Sequence, residues 1–256
     1  MKVLLFIPCY RCSEQVKRVL QKMNYVPSEI AQVLIVDNQS PDDTAQVAAQ
    51  AALNLPAELR NRIVVVQNKQ NYGLGGSFKL AIDYAVKNDF THFLVFHGDD
   101  QADFQNACEM LEKIKNNPSL DAVLGSRFMK GAKRVNYSFM RLLGNIVFNF
   151  IFSIVLRKTI FDIGSGVNLY KIKALPLKEI ALYPDHLAFD ILILFHFSAD
   201  KFKTCFHPTN WSEKDQMSNA RNFHIALTIL KMLWDFKRGK NLLNHSADTG
   251  RAFYRI

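Results

Sequence analysis

The sequence predicts an α/β fold in which a mostly parallel sheet is flanked by helices. Two observations carry this prediction. Five short apolar runs lack the polar alternation of a half-exposed strand, which is typical of strands covered on both faces. Helical patterns separate these runs, and strand–helix alternation at this spacing is typical of right-handed βαβ units. The predicted strands span residues 3–7, 33–36, 63–66, 93–96 and 122–124.

The stretches between these strands have helical periodicity. Ser13 is placed to cap the first helix, and a glycine loop over residues 71–77 precedes the third. No repeat or low-complexity segment interrupts the order, so we expect one continuous sheet in the first half. The predicted helices span residues 13–23, 45–55, 78–86 and 106–115.

Two further apolar helices are predicted in the second half. Leu142–Leu156 has no charge over 15 residues and is bracketed by Arg141 and Arg157. Because a membrane-spanning helix needs roughly 20 residues, we expect a core or interfacial helix and no transmembrane segment. Residues 223–236 repeat apolar side chains beside basic ones. That pattern is typical of peripheral membrane association, or of a helix that packs on its own domain.

Length and composition indicate a globular chain of one large domain, or of one and a half, whose charge is uneven. The chain has 256 residues, 49% hydrophobic and 21% charged. Residues 1–125 carry 12 Lys and Arg against 14 Asp and Glu, whereas residues 126–256 carry 20 against 9. The basic half favours a negatively charged partner: nucleic acid, anionic lipid or a phosphorylated substrate. A solvated basic face is the alternative. No nucleic-acid-binding motif accompanies the charge, so nucleic acid is disfavoured.

The cysteines favour a reducing compartment. The apolar run at residues 3–7 is too short for a signal peptide and stops at Pro8, so we expect a cytoplasmic protein with reduced thiols. Cys9 and Cys12 have Cys-x-x-Cys spacing, but no second pair completes a zinc site. We therefore expect buried thiols, with a redox pair as the less favoured alternative.

The segment 97–103 (His-Gly-Asp-Asp-Gln-Ala-Asp) follows a predicted buried strand and is rich in metal-ligand types. Ligands of open α/β sheets bind just outside the carboxyl ends of the strands. Hard oxygen ligands favour Mg²⁺ or Mn²⁺, shared with substrate phosphates. The segment thus predicts a metal-assisted phosphate site, or else an acidic turn in which Asp100 or Asp103 caps the next helix.

Three other polar segments follow predicted strands and would meet this one at the same edge of the sheet: residues 8–11, 37–42 and 71–77. Asp37 is placed to accept hydrogen bonds from a nucleoside. The glycine loop lets backbone approach a ligand, but it lacks the spacing of a P-loop. Its glycines do not complete Gly-x-Gly-x-x-Gly either, because position 78 is Phe. Dinucleotide binding is therefore disfavoured.

In this order the segments resemble the motifs of inverting family-2 glycosyltransferases with a GT-A, Rossmann-like fold. Residues 162–170 are similar to that family's Asp-x-x-Ser-Gly-x-Arg-x-Tyr, a signature of the dolichol- and polyprenyl-phosphate sugar transferase branch. The resemblance spans residues 3 to about 220. The motifs that carry it are Ile7–Tyr10, Val36–Asp42, Asn71–Gly76, Gly98–Gln101, Gly125–Phe128 and Asp162–Tyr170.

The resemblance implies a role for each matching residue. Asp99 would be the principal metal ligand, with Gln101 and His97 beside it, and Asp99 and Arg127 would stabilise the diphosphate leaving group. Acceptor-side residues would be Arg127, Asp162, Ser165 and Gly166. Residues of the nucleotide-sugar site would be Pro8, Tyr10, Asp37, Asn38, Gly73, Gly76, Asp99, Lys214 and Ser218.

Several positions depart from the family pattern. Arg11 and Cys12 replace Asn-Glu, and Asn38 replaces the second Asp of Asp-Asp-Gly-Ser. His97 replaces the first Asp of Asp-x-Asp, which removes one negative charge, and Asn168 replaces an Arg. Either metal affinity is weaker as a result, or Asp100 or Asp103 compensates for the lost metal ligand.

The resemblance implies transfer of a sugar from a nucleotide-sugar donor, with inversion, to a membrane-associated polyprenyl phosphate or lipid-linked saccharide. A lipid phosphate is already anionic and needs no general base, whereas a sugar hydroxyl does, and Asp190 is the candidate base. The alternatives are a soluble transferase onto a saccharide hydroxyl and a non-catalytic nucleotide-sugar-binding homologue. We expect peripheral contact with the anionic inner face of the membrane, and a homo-oligomer is possible.

The resemblance also divides the chain by function. Residues 1–128 would form the nucleotide-sugar-binding half and residues 129–220 the acceptor-binding half of the same domain, followed by a basic amphipathic tail over residues 221–256.

Overall fold

The computed structural model describes residues 1–23, 25–186, 189–215, 222–240, 242 and 251–256, and for residues 222–225 the backbone alone. Its centre is an eight-stranded sheet with the order β10-β3-β2-β1-β4-β7-β5-β8. A second, two-stranded sheet pairs β6 with β9. The strands are β1 (Val3–Cys9), β2 (Ile30–Asp37), β3 (Ile63–Asn68), β4 (His92–Phe96), β5 (Ala122–Ser126), β6 (Arg134–Val135), β7 (Val167–Lys171), β8 (Thr204–Pro208), β9 (Trp211–Ser212) and β10 (Phe253–Arg255).

Helices cover both faces of this sheet. One face carries α4, α6, α8 and α9, and the other carries α1, α2 and α5. The helices are α1 (Ser13–Lys22), α2 (Thr44–Leu53), α3 (Ala57–Arg60), α4 (Gly73–Lys87), α5 (Phe104–Asn116), α6 (Phe139–Leu156), α7 (Leu177–Ile180), α8 (Phe189–Ser198) and α9 (Asn222–Lys237), with a 3-10 turn at Ile172–Ala174.

Strand β1 shows why the apolar runs form the centre of the fold. All of its seven residues are buried, and alternate side chains enter the two cores: Leu4 and Phe6 face one, Leu5 and Ile7 the other. It lies between β2 and β4 and pairs with both in parallel. The carboxyl ends of these three strands therefore lie side by side, which confirms the predicted mostly parallel sheet.

Strands later in the chain complete the sheet by pairings that local sequence does not specify. Strand β7 inserts antiparallel between β4 and β5, and β8 pairs parallel with β5. The C-terminal residues Phe253–Arg255 pair antiparallel with β3. The predicted basic tail thus includes a helix, α9, and also an edge strand of the main sheet.

Two helices begin earlier than predicted. Helix α4 starts at Gly73 rather than residue 78, so that the glycine loop forms its first turn. Helix α6 starts at Phe139 and has 18 residues with a mean hydropathy of 1.9, and 11% of them are buried. In the described part of the chain it is the one helix that reaches, by length and composition, what a membrane crossing needs. The 15-residue count from sequence underestimated it because the helix includes Arg141.

Candidate active site

A cavity of about 1000 Å³ opens at the carboxyl ends of the strands. The β1–α1 junction, the start of α4 and the turn after β4 form one side, and helices α6, α8 and α9 with strand β9 close the other. Eleven predicted site residues line it: Pro8, Tyr10, Asn38, Gly73, His97, Asp99, Gln101, Arg127, Ser165, Gly166 and Asp190.

Four other predicted site residues, among those described, do not line the cavity. The Asp37 carboxylate accepts hydrogen bonds from the Ser40 backbone N (3.1 Å) and Gln67 Nε2 (2.8 Å), so it fixes the turn after β2. Gly76 packs against Tyr72, and Asp162 lies behind Arg127. Lys214 points its Nζ toward Asp100 (3.7 Å). Ser218 lies outside the described residues.

The three carboxylates after β4 point in different directions. Asp99 faces the cavity. Asp100 is buried in the left-handed conformation (φ 57°) and pairs with Arg18 (2.9 Å) and Lys22 of α1. Burial opposes its charge, but Lys22 and Arg18 outweigh it and hold the pKa of Asp100 below its ordinary value. It therefore does not supply the carboxylate that position 97 lacks.

Asp103 has the structural role that the sequence offered as the alternative. Its Oδ1 accepts a hydrogen bond from the Gln105 backbone N (3.1 Å) and caps α5. Its other oxygen accepts from Asn210 Nδ2 (3.3 Å). With Asp100 and Asp103 engaged elsewhere, Asp99 is the carboxylate of the acidic segment that remains at the cavity.

The surroundings of Asp99 fit a divalent cation. Asp99 is half-buried, and its carboxylate has no ion-pair partner among the described residues; partial loss of water around the carboxylate raises the pKa of Asp99. His97 Nε2 is buried without a hydrogen-bond partner in the described part of the chain, and burial lowers the pKa of His97. Within the ranges that the structure describes, no three His, Cys, Asp or Glu side chains lie close enough together to hold a metal ion by themselves. A cation here would have one charged protein ligand, with Gln101 and His97 as neutral ones.

Arg127 is held rigidly at the cavity wall by Asp162. Its Nε and one terminal nitrogen donate to the two oxygens of Asp162, each at 2.8 Å, and its backbone N donates to the same carboxylate (3.0 Å). The ring of Trp211 lies 5.2 Å from the guanidinium. Burial opposes the charge, but Asp162 raises the pKa of Arg127 further above its ordinary value. A fixed, permanently charged guanidinium suits a phosphate ligand.

Asp190 lies at the start of α8 and lines the cavity from the side opposite the strand ends. Burial raises the pKa of its carboxyl group to about 7. One of its oxygens is buried without a hydrogen-bond partner among the described residues. A carboxyl group that titrates near neutral pH is suited to accept a proton.

Several wall residues were not predicted. Trp211 on β9 and four residues at or on α6, Tyr137, Arg141, Asn145 and Phe148, line the side of the cavity opposite the strand ends. The one local signal was the pair Asn145 and Asn149, four residues apart on one face of an otherwise apolar helix. The position of Trp211 depends on the pairing of β6 with β9, which the sequence does not specify.

Comparison with known proteins places the chain in a family. Residues 5–176, more than half of the chain, match the family described as glycosyl transferase family 2. Polyprenol monophosphomannose synthase of Mycolicibacterium smegmatis is 23% identical over 170 residues, which cover 66% of this chain and 62% of that protein. Undecaprenyl-phosphate mannosyltransferase of Micrococcus luteus is 26% identical over 171 residues, 67% of each chain. The alignment thus spans less than two thirds of the first of these relatives.

Solved structures share the fold. Glucosyl-3-phosphoglycerate synthase from Mycobacterium tuberculosis, in complex with Mn²⁺, UDP-glucose and phosphoglyceric acid, aligns with a TM-score of 0.64 at 9% identity, covering 100% of this chain and 87% of that one. Mannosyl-3-phosphoglycerate synthase from Rubrobacter xylanophilus aligns with a TM-score of 0.60 at 15% identity, covering 98% and 78%. These likenesses confirm the GT-A architecture predicted from sequence.

Proposed function

We propose that this chain, which belongs to glycosyl transferase family 2, moves a sugar from a nucleotide-sugar donor to a polyprenyl phosphate or lipid-linked saccharide at a membrane surface. The observation that carries the proposal is one cavity lined by both the half-buried carboxylate of Asp99 and the fixed guanidinium of Arg127. The relatives named for polyprenol and undecaprenyl phosphate support this class of acceptor.

The donor occupies the side of the cavity formed by the strand ends. Pro8 and Tyr10 follow β1, Asn38 follows β2, and Gly73 begins α4. Tyr10 is 37% exposed, which leaves an aromatic face for a nucleoside. The backbone approach that glycine permits at the start of α4 suits the sugar-phosphate part of the donor.

The side chains around Asp99 fit Mg²⁺ or Mn²⁺, with Asp99 as the charged metal ligand and Gln101 and His97 as the neutral ones. These residues would hold the cation where it would neutralise charge that develops on the diphosphate leaving group. Mn²⁺ in the Mycobacterium tuberculosis complex supports a divalent ion in this fold.

Arg127 supplies positive charge from the protein itself. Asp162 and the flanking Trp211 fix its direction before substrate arrives, so no reorganisation is needed as charge builds up. The acceptor oxygen attacks the anomeric carbon while the bond to the diphosphate oxygen breaks, in one in-line displacement that inverts the configuration. An acceptor phosphate oxygen carries its own charge and gives up no proton.

Helix α6 lies between the cavity and the proposed membrane surface. One side of it lines the cavity through Met140, Gly144 and Asn145, and its outward side exposes a stripe of large apolar residues. Helix α9 packs beside it and exposes Trp234 (57%). We place the protein on the cytoplasmic face of a membrane, where basic residues near both helices meet anionic headgroups.

The first experiment is thermal unfolding of the purified protein with UDP, GDP, CDP and dTDP, each with and without Mg²⁺ or Mn²⁺. We expect one nucleotide to stabilise the fold only with metal, by about 2.7 kcal/mol at a hundredfold excess over Kd. In Asp99→Asn that stabilisation and sugar transfer are lost while the unliganded protein still unfolds cooperatively.

Three other results would change the proposal. Stabilisation by no nucleotide would contradict the donor site. Binding without turnover would make the chain a non-catalytic nucleotide-sugar-binding homologue. Unchanged turnover in Asp99→Asn would contradict its assignment as metal ligand.

Asp190 favours a second acceptor class, a saccharide hydroxyl, because a carboxyl group with a pKa near 7 at the cavity wall is suited to general-base catalysis. Turnover of Asp190→Asn on the two acceptor classes separates the candidates. Loss of transfer to hydroxyl acceptors, with transfer to polyprenyl phosphate retained, would identify Asp190 as a base for the former alone.

A further inference from the structure

Asn38 stands where the resembling family carries the second Asp of Asp-Asp-Gly-Ser, and its amide is engaged within the protein. Its Oδ1 accepts hydrogen bonds from the Tyr72 backbone N and from Asn68 Nδ2, both at 2.9 Å. Its Nδ2 donates to Asn71 Oδ1 at 2.8 Å. Asn38 is 7% exposed and Asn68 1% exposed, so water competes little for these bonds.

The direction of each bond is fixed by backbone groups. A backbone N–H only donates, so Tyr72 N requires the Asn38 oxygen on its side. Gly73 N donates to Asn71 Oδ1 at 2.9 Å, which fixes the Asn71 amide in the same way. The Asn38 nitrogen must therefore face the Asn71 oxygen, independently of how amide atoms are assigned.

We propose that Asn38 is a positioning residue that locks the segment 71–77, the start of α4, in the place where it lines the nucleotide side of the cavity. Asn68 adds to this restraint, because its Nδ2 also donates to Ser77 Oγ (2.9 Å), the fifth residue of α4. The inference rests on the proposed donor site for its effect on nucleotide binding, but the lock itself does not.

This assignment predicts that restoring the family's aspartate harms the site. In Asn38→Asp a carboxylate oxygen replaces the nitrogen and faces the oxygen of Asn71, an acceptor against an acceptor. Rotating the Asn71 amide would relieve that pair but would remove the acceptor of Gly73 N. Asn71→Asp makes the same chemical change on the other partner, yet both groups that reach Asn71 are donors, so its bonds persist. Two neighbouring substitutions of one type therefore have opposite expected effects.

The test is hydrogen exchange over residues 71–77 with nucleotide affinity in parallel. In Asn38→Asp we expect faster exchange there and binding of the stabilising nucleotide weakened by about tenfold or more. Asn71→Asp keeps the exchange rate of the wild-type protein. The Asn68 side chain does not line the cavity. We expect Asn68→Ala also to speed exchange over residues 71–77 and weaken nucleotide binding, and this variant replaces Asn38→Asp in the test if Asn38→Asp does not fold. Asn117→Asp, an exposed amide that accepts from Ser119 (2.6 Å), controls for added charge and changes neither readout.

Other outcomes overturn the inference. Weaker binding of nucleotide by Asn38→Asp with unchanged exchange would make Asn38 a direct ligand instead. Equal acceleration of exchange in Asn38→Asp and Asn71→Asp would show that bond direction is irrelevant, and no change in Asn38→Asp would exclude the lock. If the wild-type protein binds no nucleotide, the proposed function fails, while the exchange comparison still decides the lock.

Discussion

Arg127 and Asp162 are the residues at which fold and chemistry depend most directly on each other. The pair is buried, with side chains 9% and 0% exposed, and Asp162 also accepts a hydrogen bond from the Gly164 backbone N (3.0 Å). The carboxylate thus holds both the guanidinium and the turn that leads to β7. We infer that Asp162, which the resemblance assigned to the acceptor site, has its effect there by holding Arg127.

Asp162→Asn should cost about 3–5 kcal/mol of unfolding free energy, because it leaves a buried guanidinium without its counter-charge. Denaturant unfolding measures the loss. Glu58→Gln, which breaks the exposed i,i+4 pair with Arg62, is the matched control and should cost under about 1 kcal/mol. Equal costs for the two variants would mean that Arg127 does not depend on Asp162.

Asp190 makes stability depend on pH. Its carboxyl has a pKa of about 7 in the folded protein, with Tyr170 of β7 as an ionisable neighbour, and a pKa near 4 in an unfolded chain. Between these pH values the folded state holds a proton that the unfolded state has released. The contribution of Asp190 to the free energy of unfolding therefore falls as pH rises from about 4 to 7, and it is constant above pH 7. Urea unfolding of Asp190→Asn should show increasing relative stability over that range, by at most about 4 kcal/mol. A pH-independent difference would contradict the assignment.

At the scale of elements, the first turn of α4 depends on glycine for close packing. A Cβ at Gly75 would lie 2.6 Å from the Pro184 carbonyl oxygen and 3.0 Å from the Asp185 Cα, both backbone atoms. Gly73 has φ 71°, and a Cβ added there would also lie too close to the Asp185 carbonyl oxygen. The segment before α8 and the segment that lines the donor side are therefore packed backbone to backbone.

Gly75→Ala should destabilise the fold by about 1–3 kcal/mol, because neither backbone can move away without disturbing the other. Gly144→Ala in α6 is the control, since no atom lies within 4 Å of its added Cβ, and it should stabilise by about 0.5–1 kcal/mol. Thermal unfolding of both variants checks this, and a neutral Gly75→Ala would show that the contact with residues 184–185 is loose.

Local sequence predicted the elements whose signal is local. The five apolar runs became β1 to β5 because each is buried on both faces. Asp99 lies at the cavity, as expected from its place after one of them. Side-chain direction was not available from sequence. Asp100 pairs with Arg18 and Lys214, which are both distant from it in the chain. Asp37 likewise accepts a hydrogen bond from the distant Gln67 and fixes its own turn. Strand β10 escaped prediction because three residues carry no period-2 signal.

At the scale of the whole molecule, the uneven charge and the exposed apolar surface indicate which side of the protein would face a membrane. The outward stripe of α6 repeats at helical spacing, with exposures from 47% to 72%, and Arg157 follows the helix. A continuous apolar patch of this kind on a water-exposed helix marks an interaction site. Since the opposite side of α6 lines the cavity, a bilayer at the stripe would deliver a lipid-linked acceptor directly to Arg127. The stripe residues are Phe139, Leu143, Ile146, Val147, Phe150 and Ile154.

Phe150→Asp should weaken binding to vesicles that contain anionic lipid by about tenfold or more, because it removes an exposed aromatic side chain that would enter the bilayer and adds a charge that anionic headgroups repel. Leu53→Asp on α2 is the matched control: Leu53 is 57% exposed, against 65% for Phe150, but α2 covers the other face of the sheet. Vesicle flotation at two salt concentrations measures both variants, with nucleotide-induced stabilisation as a check of the fold. Only Phe150→Asp should lose binding, and transfer to a water-soluble acceptor should persist in it. If the two variants lose binding equally, or neither does, α6 is not the membrane-facing element.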